Sequence, residues 1–344
     1  MLRRADSYPL GKIPNSVLRE LLAKVAPADP RVLVGPGIGL DAAVIDMGDR
    51  YLVAKTDPIT LASDRVGWYA VHVNANDVAC MGAEPRWFLA SLLLPEGQAD
   101  RGLADAIFGQ ITEACGSLGV SLVGGHTEIT HGIDRPIVVG CLLGEVAKNR
   151  LVTAAGAQEG DTLLLAGGIP IEATAILARE KAAELEGRFD PDFLRRCRDF
   201  LFDPGISVVR AARLAVEAGE VHAMHDPTEG GLAAGLWELA EASDCALEVN
   251  SEAILILPEG RTLCEAFGLD PLASIASGAL LLTAAARDQA AIVRVLSAGG
   301  IACAGIGNVG PKGEPEVRLR TAQGVKSAPK PERDEIARLL ESTA

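Results

Sequence analysis

Five short segments place glycine or another small residue beside a carboxylate where a predicted strand ends or a helix begins. They read GPGIGLDAAV, KTDP, NANDVACMGAEP, GGHTE and HDPTEGGL, and the first four fall in the first half of the 344-residue chain. Packing alone gives no reason for acids and glycines to coincide so often. Oxygen ligands from Asp41, Asp57 and Asp77, with Glu128 as a fourth, are the hard donors that magnesium takes when substrate phosphates complete its shell. Gly37, Gly39, Gly124 and Gly125 would let backbone N–H groups approach those phosphates without a Cβ in the way.

Each segment also has a plainer reading. An aspartate at a strand end often caps a helix or makes a turn, and Asp57 precedes Pro58. Asp77 inside a helix is either an exposed surface charge or, given its apolar neighbours Val73, Val78, Met81 and Ala83, a half-buried carboxylate facing a partner, and the neighbours favour the second. In the fifth segment a short strand runs into a Gly-Gly turn and then an Ala/Leu-rich helix, whose start points free N–H groups at an anion. Asp226 and Thr228 are there either a metal ligand and a phosphate-contacting hydroxyl or turn residues capping the helix. His225 is a general base or a satisfied core histidine, and His126 is a second candidate for moving a proton. His126 and His131 share no helix-face spacing, so no histidine metal site is expected. GPGIG lacks the GKS or GKT of a P-loop, and neither a P-loop ATPase nor a Rossmann dehydrogenase is supported.

The formal net charge of −14 makes nucleic acid and anionic membranes poor partners. The apolar runs 87–94 and 137–143 are far shorter than a bilayer span. The start, MLRRADSYPLGKIP, has no apolar core of a secretory signal, so a cytoplasmic location is expected. Seven cysteines never form CxxC, which argues against a disulfide framework or a zinc site and for small buried apolar residues.

Apolar spacing predicts a helix over 15–26, an antiparallel strand pair around Gly48-Asp49-Arg50, and a helix over 66–81. A strand at 87–94, a helix at 103–118, and strands at 121–123 and 137–145 complete an α+β half. The loop-like stretch 151–161 sets the expected domain boundary near 150, giving domains 1–150 and 151–344. The second half alternates strands and helices as a layered α/β domain.

Taken in order, GIGLDAAVI at 37–45, Thr56-Asp57, NANDVACMGAEP, GGHTE, GDTLLLAGG at 160–168 and HDPTEGGL resemble the aminoimidazole ribonucleotide (AIR) synthetase superfamily. That superfamily includes formylglycinamidine synthetase, selenophosphate synthetase, thiamine monophosphate kinase and the hydrogenase maturation protein HypE, and HypE is the nearest in motif. The resemblance implies an α+β domain whose small sheet forms a barrel across a homodimer, followed by an α/β domain, with ATP and magnesium at the junction. Asp41, Asp57, Asp77, Asp226 and Glu128 would then be metal ligands. Gly37, Gly39, Thr56, Asn74, Asn76, Gly124, Gly125, Thr127 and Thr228 would lie around the nucleotide, and Lys12 would cover its phosphates.

Two departures bear on the activity. Leu40 stands where related chains pair two aspartates, so fewer magnesium ions are expected, and the sequence ends ARLLESTA without the terminal cysteine on which HypE carries its substrate. The first cysteine is Cys80, which argues against selenophosphate synthesis. The expected activity is Mg-ATP-dependent phosphorylation of a carbonyl or amide oxygen of a small acceptor. The alternatives are a small-molecule kinase like thiamine monophosphate kinase, or a nucleotide-binding maturation scaffold that docks a partner protein and turns over little.

Overall fold

The computed structural model describes Tyr8, residues 10–25 and residues 28–341. Among the described residues, thirteen strands form two sheets, one in each half of the chain. The first comprises β1 (Val32–Val34), β2 (Ala43–Asp46), β3 (Arg50–Ile59), β4 (Glu84–Pro95), β5 (Ser121–Thr130) and β6 (Ile137–Ala147), in the order β1-β2-β3-β6-β4-β5. The second comprises β7 (Thr162–Ala166), β8 (Val221–His225), β9 (Cys245–Asn250), β10 (Leu280–Ala284), β11 (Cys303–Lys312), β12 (Glu316–Thr321) and β13 (Gly324–Ser327), in the order β13-β12-β9-β11-β7-β10-β8. The helices are α1 (Asn15–Leu22), α2 (Val66–Cys80), α3 (Arg101–Leu118), α4 (Ile171–Glu180), α5 (Ala182–Leu185), α6 (Pro191–Asp199), α7 (Val209–Ala218), α8 (Gly231–Ser243), α9 (Pro258–Phe267), α10 (Gln289–Ala298) and α11 (Glu335–Glu341).

The expected antiparallel pair is β2 with β3, in register from Ala43–Ala54 to Asp46–Tyr51. The expected short strand at 121–123 is longer than its apolar run. β5 continues through Gly124 to Thr130, parallel to β4, so GGHTE is part of the strand. The second sheet is mostly antiparallel, with β12 and β9 its one parallel pair among the described residues. β1, β12 and β13 were not expected, because each is short or polar on one face. The predicted helix over 15–26 ends at Leu22, and position 26 lies outside the described residues. The first sheet is open in the single chain, with β1 and β5 at its edges. No helix among the described residues is long and apolar enough to cross a membrane.

Helix α2 organises the interior. Every one of its residues except Trp68 is buried, as expected of a helix covered on all sides. It packs on β6 at Gly140 and Gly144. A Cβ at Gly140 would stand 2.4 Å from Asn74 Nδ2, and one at Gly144 would stand 2.4 Å from Val78 Cγ1. One continuous apolar core then joins α2 and the first sheet to α4, α6 and α9 of the second half.

His72, on α2, tilts against Trp68 with ring centroids 4.4 Å apart, and neither of its ring nitrogens has a partner. Burial drives its pKa down to about 4. An unfolded chain protonates this imidazole near pH 6.5, so the folded state is favoured in full above that value and loses the contribution as the pH falls toward 4. The shift corresponds to roughly 3 kcal/mol. Melting temperatures of the wild type should therefore drop across this window, and those of His72→Phe should drop less steeply. Parallel curves in calorimetry would remove His72 as the cause.

Candidate active site

Alternation along β3 puts Lys55 and Asp57 on one face, and α2 lays Asp77 against the same face. Lys55 Nζ is 3.3 Å from Asp57 Oδ2 and 3.3 Å from Asp77 Oδ1. Burial acts against the Lys55 charge, yet Asp77, Asp57, Asp41 and Asp226 outweigh it and hold the pKa above the usual lysine value. Asp226 arrives from the second sheet, one residue past the end of its edge strand β8. Burial, with Asp41 adding to it, lifts the Asp226 carboxyl to about 7 against the pull of His225 and Lys55. Asp77 is raised well above the carboxylate range, first by burial and then by Asp226, Asp57 and Asp41, with Lys55 opposing.

A second cluster closes the junction. His225 Nδ1 is 2.8 Å from Asp41 Oδ1, and its Nε2 is 2.9 Å from Glu238 Oε2 on α8. Desolvation opposes the charged imidazole, but the two carboxylates prevail and raise its pKa well above the ordinary value. His225 is thus an imidazolium donating both N–H groups. The loop that carries Asp41 lies tight on α8: Gly39 has φ +72°, and a Cβ there would stand 2.8 Å from the Glu238 carbonyl oxygen. Lys12 Nζ reaches Glu238 Oε1 at 3.6 Å and donates to Thr228 Oγ1 at 3.4 Å.

These groups line one cavity of about 570 Å³ between the two sheets, a volume suited to a small ligand. Asp41 Oδ2, Asp77 Oδ2 and Asp226 Oδ2 are buried with no hydrogen-bond partner. Unpaired buried carboxylate oxygens are costly, and a cation relieves them. The donor set fits a hard divalent ion such as magnesium. Asp41, Cys80 and Asp226 each offer an atom within 4.8 Å of the others. Cys80 is a poor ligand here, because burial and then Asp226 push its thiol pKa well up, and the protonated sulfur donates to Asp226 Oδ1 at 3.7 Å.

The structure therefore brings together Asp41, Asp57, Asp77, Asp226, Gly39, Thr228, His225 and Lys12. Several expectations need correction. His225 has no free lone pair with which to act as a general base, since both nitrogens are engaged. Asn76 is not free for phosphate: its Nδ2 donates to the Ile206 carbonyl at 2.8 Å and its Oδ1 accepts from Val208 N–H at 2.8 Å, so it ties α2 to the second half. Asn74 donates to the carbonyls of Ala70 and Asp57, and Thr56 donates to the Gly140 carbonyl, all behind the cavity wall. Gly37 lies outside the lining and packs on Leu40. Gly124, Gly125, His126, Thr127 and Glu128 sit exposed on edge strand β5 and do not reach the cavity of their own chain. His126 there pairs with Glu128 at 3.2 Å.

Lys55, Glu172 and Glu238 also line the cavity and were not anticipated. Lys55 stood beside Thr56-Asp57, and strand alternation would have placed it with Asp57. Glu238 is a single acid within the Ala/Leu-rich helix that follows the Gly-Gly turn.

Comparison with known proteins matches residues 39–146 to the N-terminal domain of AIR synthase related proteins and residues 158–320 to their C-terminal domain. The chain belongs to the AIR synthase related family. It is 31% identical to the carbamoyl dehydratase HypE of Cupriavidus necator, over 83% of this chain and 81% of that protein. It is 28% identical to the carbamoyl dehydratase HypE of Escherichia coli, over 73% of this chain and 69% of that protein. A crystal structure of the hydrogenase maturation protein HypE aligns at TM-score 0.70 and 26% identity, covering 90% of this chain and 92% of that one. A HypE structure in complex with ATP aligns at TM-score 0.72 and 24% identity, over 96% and 98% of the two chains.

Replacing Asn76 by alanine strands a buried carbonyl and a buried N–H. The expected cost is about 2 to 4 kcal/mol in urea unfolding, and Asn76→Asp, which keeps the acceptor for Val208, should recover part of it. Equal losses for both variants would count against the two-bond bridge.

Proposed function

We propose that this chain is an ATP-dependent phosphoryl-transfer enzyme that activates a carbonyl or amide oxygen of a small acceptor. The carrying observation is the convergence of Asp41, Asp57, Asp77 and Asp226, three of them with an unpaired buried oxygen, around Lys55 at the junction of two family domains. The 31% identity to a carbamoyl dehydratase supports the same chemistry. When bound, magnesium would supply charge neutralisation on the triphosphate, held by Asp41, Asp77, Asp226 and Asp57. Lys55 holds Asp57 and Asp77 in place and adds a fixed positive charge. Lys12 and the Thr228 hydroxyl face the cavity from the opposite wall and are placed to contact phosphate oxygens. The acceptor oxygen attacks the γ-phosphorus, the bond to the bridging oxygen breaks, and ADP leaves. The chain's contribution is position and charge. His225 keeps its proton throughout and fixes Asp41 against α8. Leu40 lines the cavity as an apolar side chain, in keeping with fewer metal ions than a paired-aspartate site would take.

We further propose a homodimer in the cytoplasm, built on the β5 edge, and a docking role toward a maturation partner protein. Leu122, Val123 and Ile129 are exposed on β5, and an open strand edge carrying apolar side chains is ordinarily covered. Covering it with a second copy would also bring Gly124, Gly125, Thr127 and Glu128 out of solvent. We take residues 1–150 and 151–344 as the two functional units.

Calorimetric titration tests the metal–phosphate reading. Wild type should bind ATP only with magnesium, at roughly micromolar affinity, and Asp57→Asn and Asp77→Asn should each weaken it tenfold or more. Binding that ignores magnesium, or variants that match wild type, would sink the reading. For the dimer, Ile129→Glu should halve the mass seen by light scattering while leaving the fold intact by circular dichroism. An unchanged mass places the interface elsewhere.

A further inference from the structure

Two chemically distinct sets of residues line the cavity. One is the aspartates and Lys55. The other is Ile59, Leu61, Ala62 and Ile275 together with Glu172 and Ser277. Glu172 lies in the first turn of α4 and is 4% exposed. Its Oε2 is buried with no hydrogen-bond partner, and the Ser277 side chain and backbone N–H lie close enough to the carboxylate to favour its charged form. Burial lifts the Glu172 carboxyl to about 7, with Ser277 opposing the rise and Asp334 and Glu229 adding to it. A buried acceptor oxygen without a partner, beside a serine hydroxyl and apolar side chains, forms a site waiting for a ligand that supplies an N–H.

We propose that Glu172 and Ser277 form the acceptor subsite, and that Glu172 determines specificity by taking an N–H of a neutral amide or ureido group while rejecting anionic acceptors. The inference rests on the phosphoryl-transfer reading for its reaction but not for its binding chemistry. An amide held through its N–H keeps the carbonyl oxygen free to accept a phosphoryl group. A carboxylate or phosphate monoester at the same place would meet a buried acidic oxygen with Glu229 behind it, and repulsion in a low dielectric discriminates strongly. A polar group made to pair with a ligand donor also rejects analogues that lack the donor, because the group is then left unpaired.

The test is ligand-observed NMR titration of the full chain with acetamide, urea, N,N-dimethylacetamide, acetate and methyl phosphate, each with and without Mg-ATP. Acetamide and urea should bind about tenfold or more tightly than the other three. Glu172→Gln, nearly the same shape, should bring acetamide and acetate to within about threefold of each other, with a circular dichroism spectrum matching that of the wild type. Ser277→Ala should weaken acetamide without admitting acetate. Acetate or methyl phosphate binding as tightly as acetamide, or a Glu172→Gln variant that keeps the wild-type preference, would overturn the proposal. The nucleotide-free arm reads the subsite alone. Failure to bind ATP would therefore remove the phosphoryl-transfer reading and leave the subsite result standing.

Discussion

Crowded negative charge at the meeting of the two sheets is the constraint on which the rest of the structure depends. Asp41, Asp57, Asp77 and Asp226 face one interior lysine, Lys55, with the imidazolium of His225 and the ammonium of Lys12 as further compensating charges in the same cavity. Such a cluster survives only in a rigid surround, because any loosening admits alternative pairings. The burial of α2 on every side supplies that rigidity, and Gly140 and Gly144 make it possible by letting the helix sit directly on β6. Asn76 carries the same restraint across to the second half through two backbone bonds.

Much of this was legible from residue order. The β2–β3 pair and the helix beginning at Val66 follow from period and turn composition. The family followed from the order of its motifs. What sequence could not separate were residues of one motif that point in opposite directions. In the run from Asn74 to Asp77, only Asp77 faces the cavity, while Asn74 and Asn76 bond backbone behind it and across the domain junction. A helix advances about 100° per residue, so a contiguous motif on α2 has to split its duties.

The GGHTE segment failed for a different reason. Two glycines followed by polar residues read as a turn, and the chain instead runs through them as an edge strand held by parallel pairing to β4. That pairing is tertiary and has no local signature. Lys55, Glu172 and Glu238 escaped notice because a single charged residue carries no periodic signal, and their importance lies in what they face across the cavity.

The charge pattern also fixes how a nucleotide can enter. A triphosphate approaching four carboxylates is repelled unless positive charge arrives with it, and Lys55 is already committed to Asp57 and Asp77. Lys12 is the remaining ammonium on the lining, and it is held by Glu238 and Thr228 on the far wall. The fixed cations are thus each matched to a protein acid before any ligand binds. On the proposed reading, phosphate charge would be balanced by a cation carried in with the nucleotide, and Lys12, the half-exposed member of the set, is the group most able to change partners when phosphates arrive.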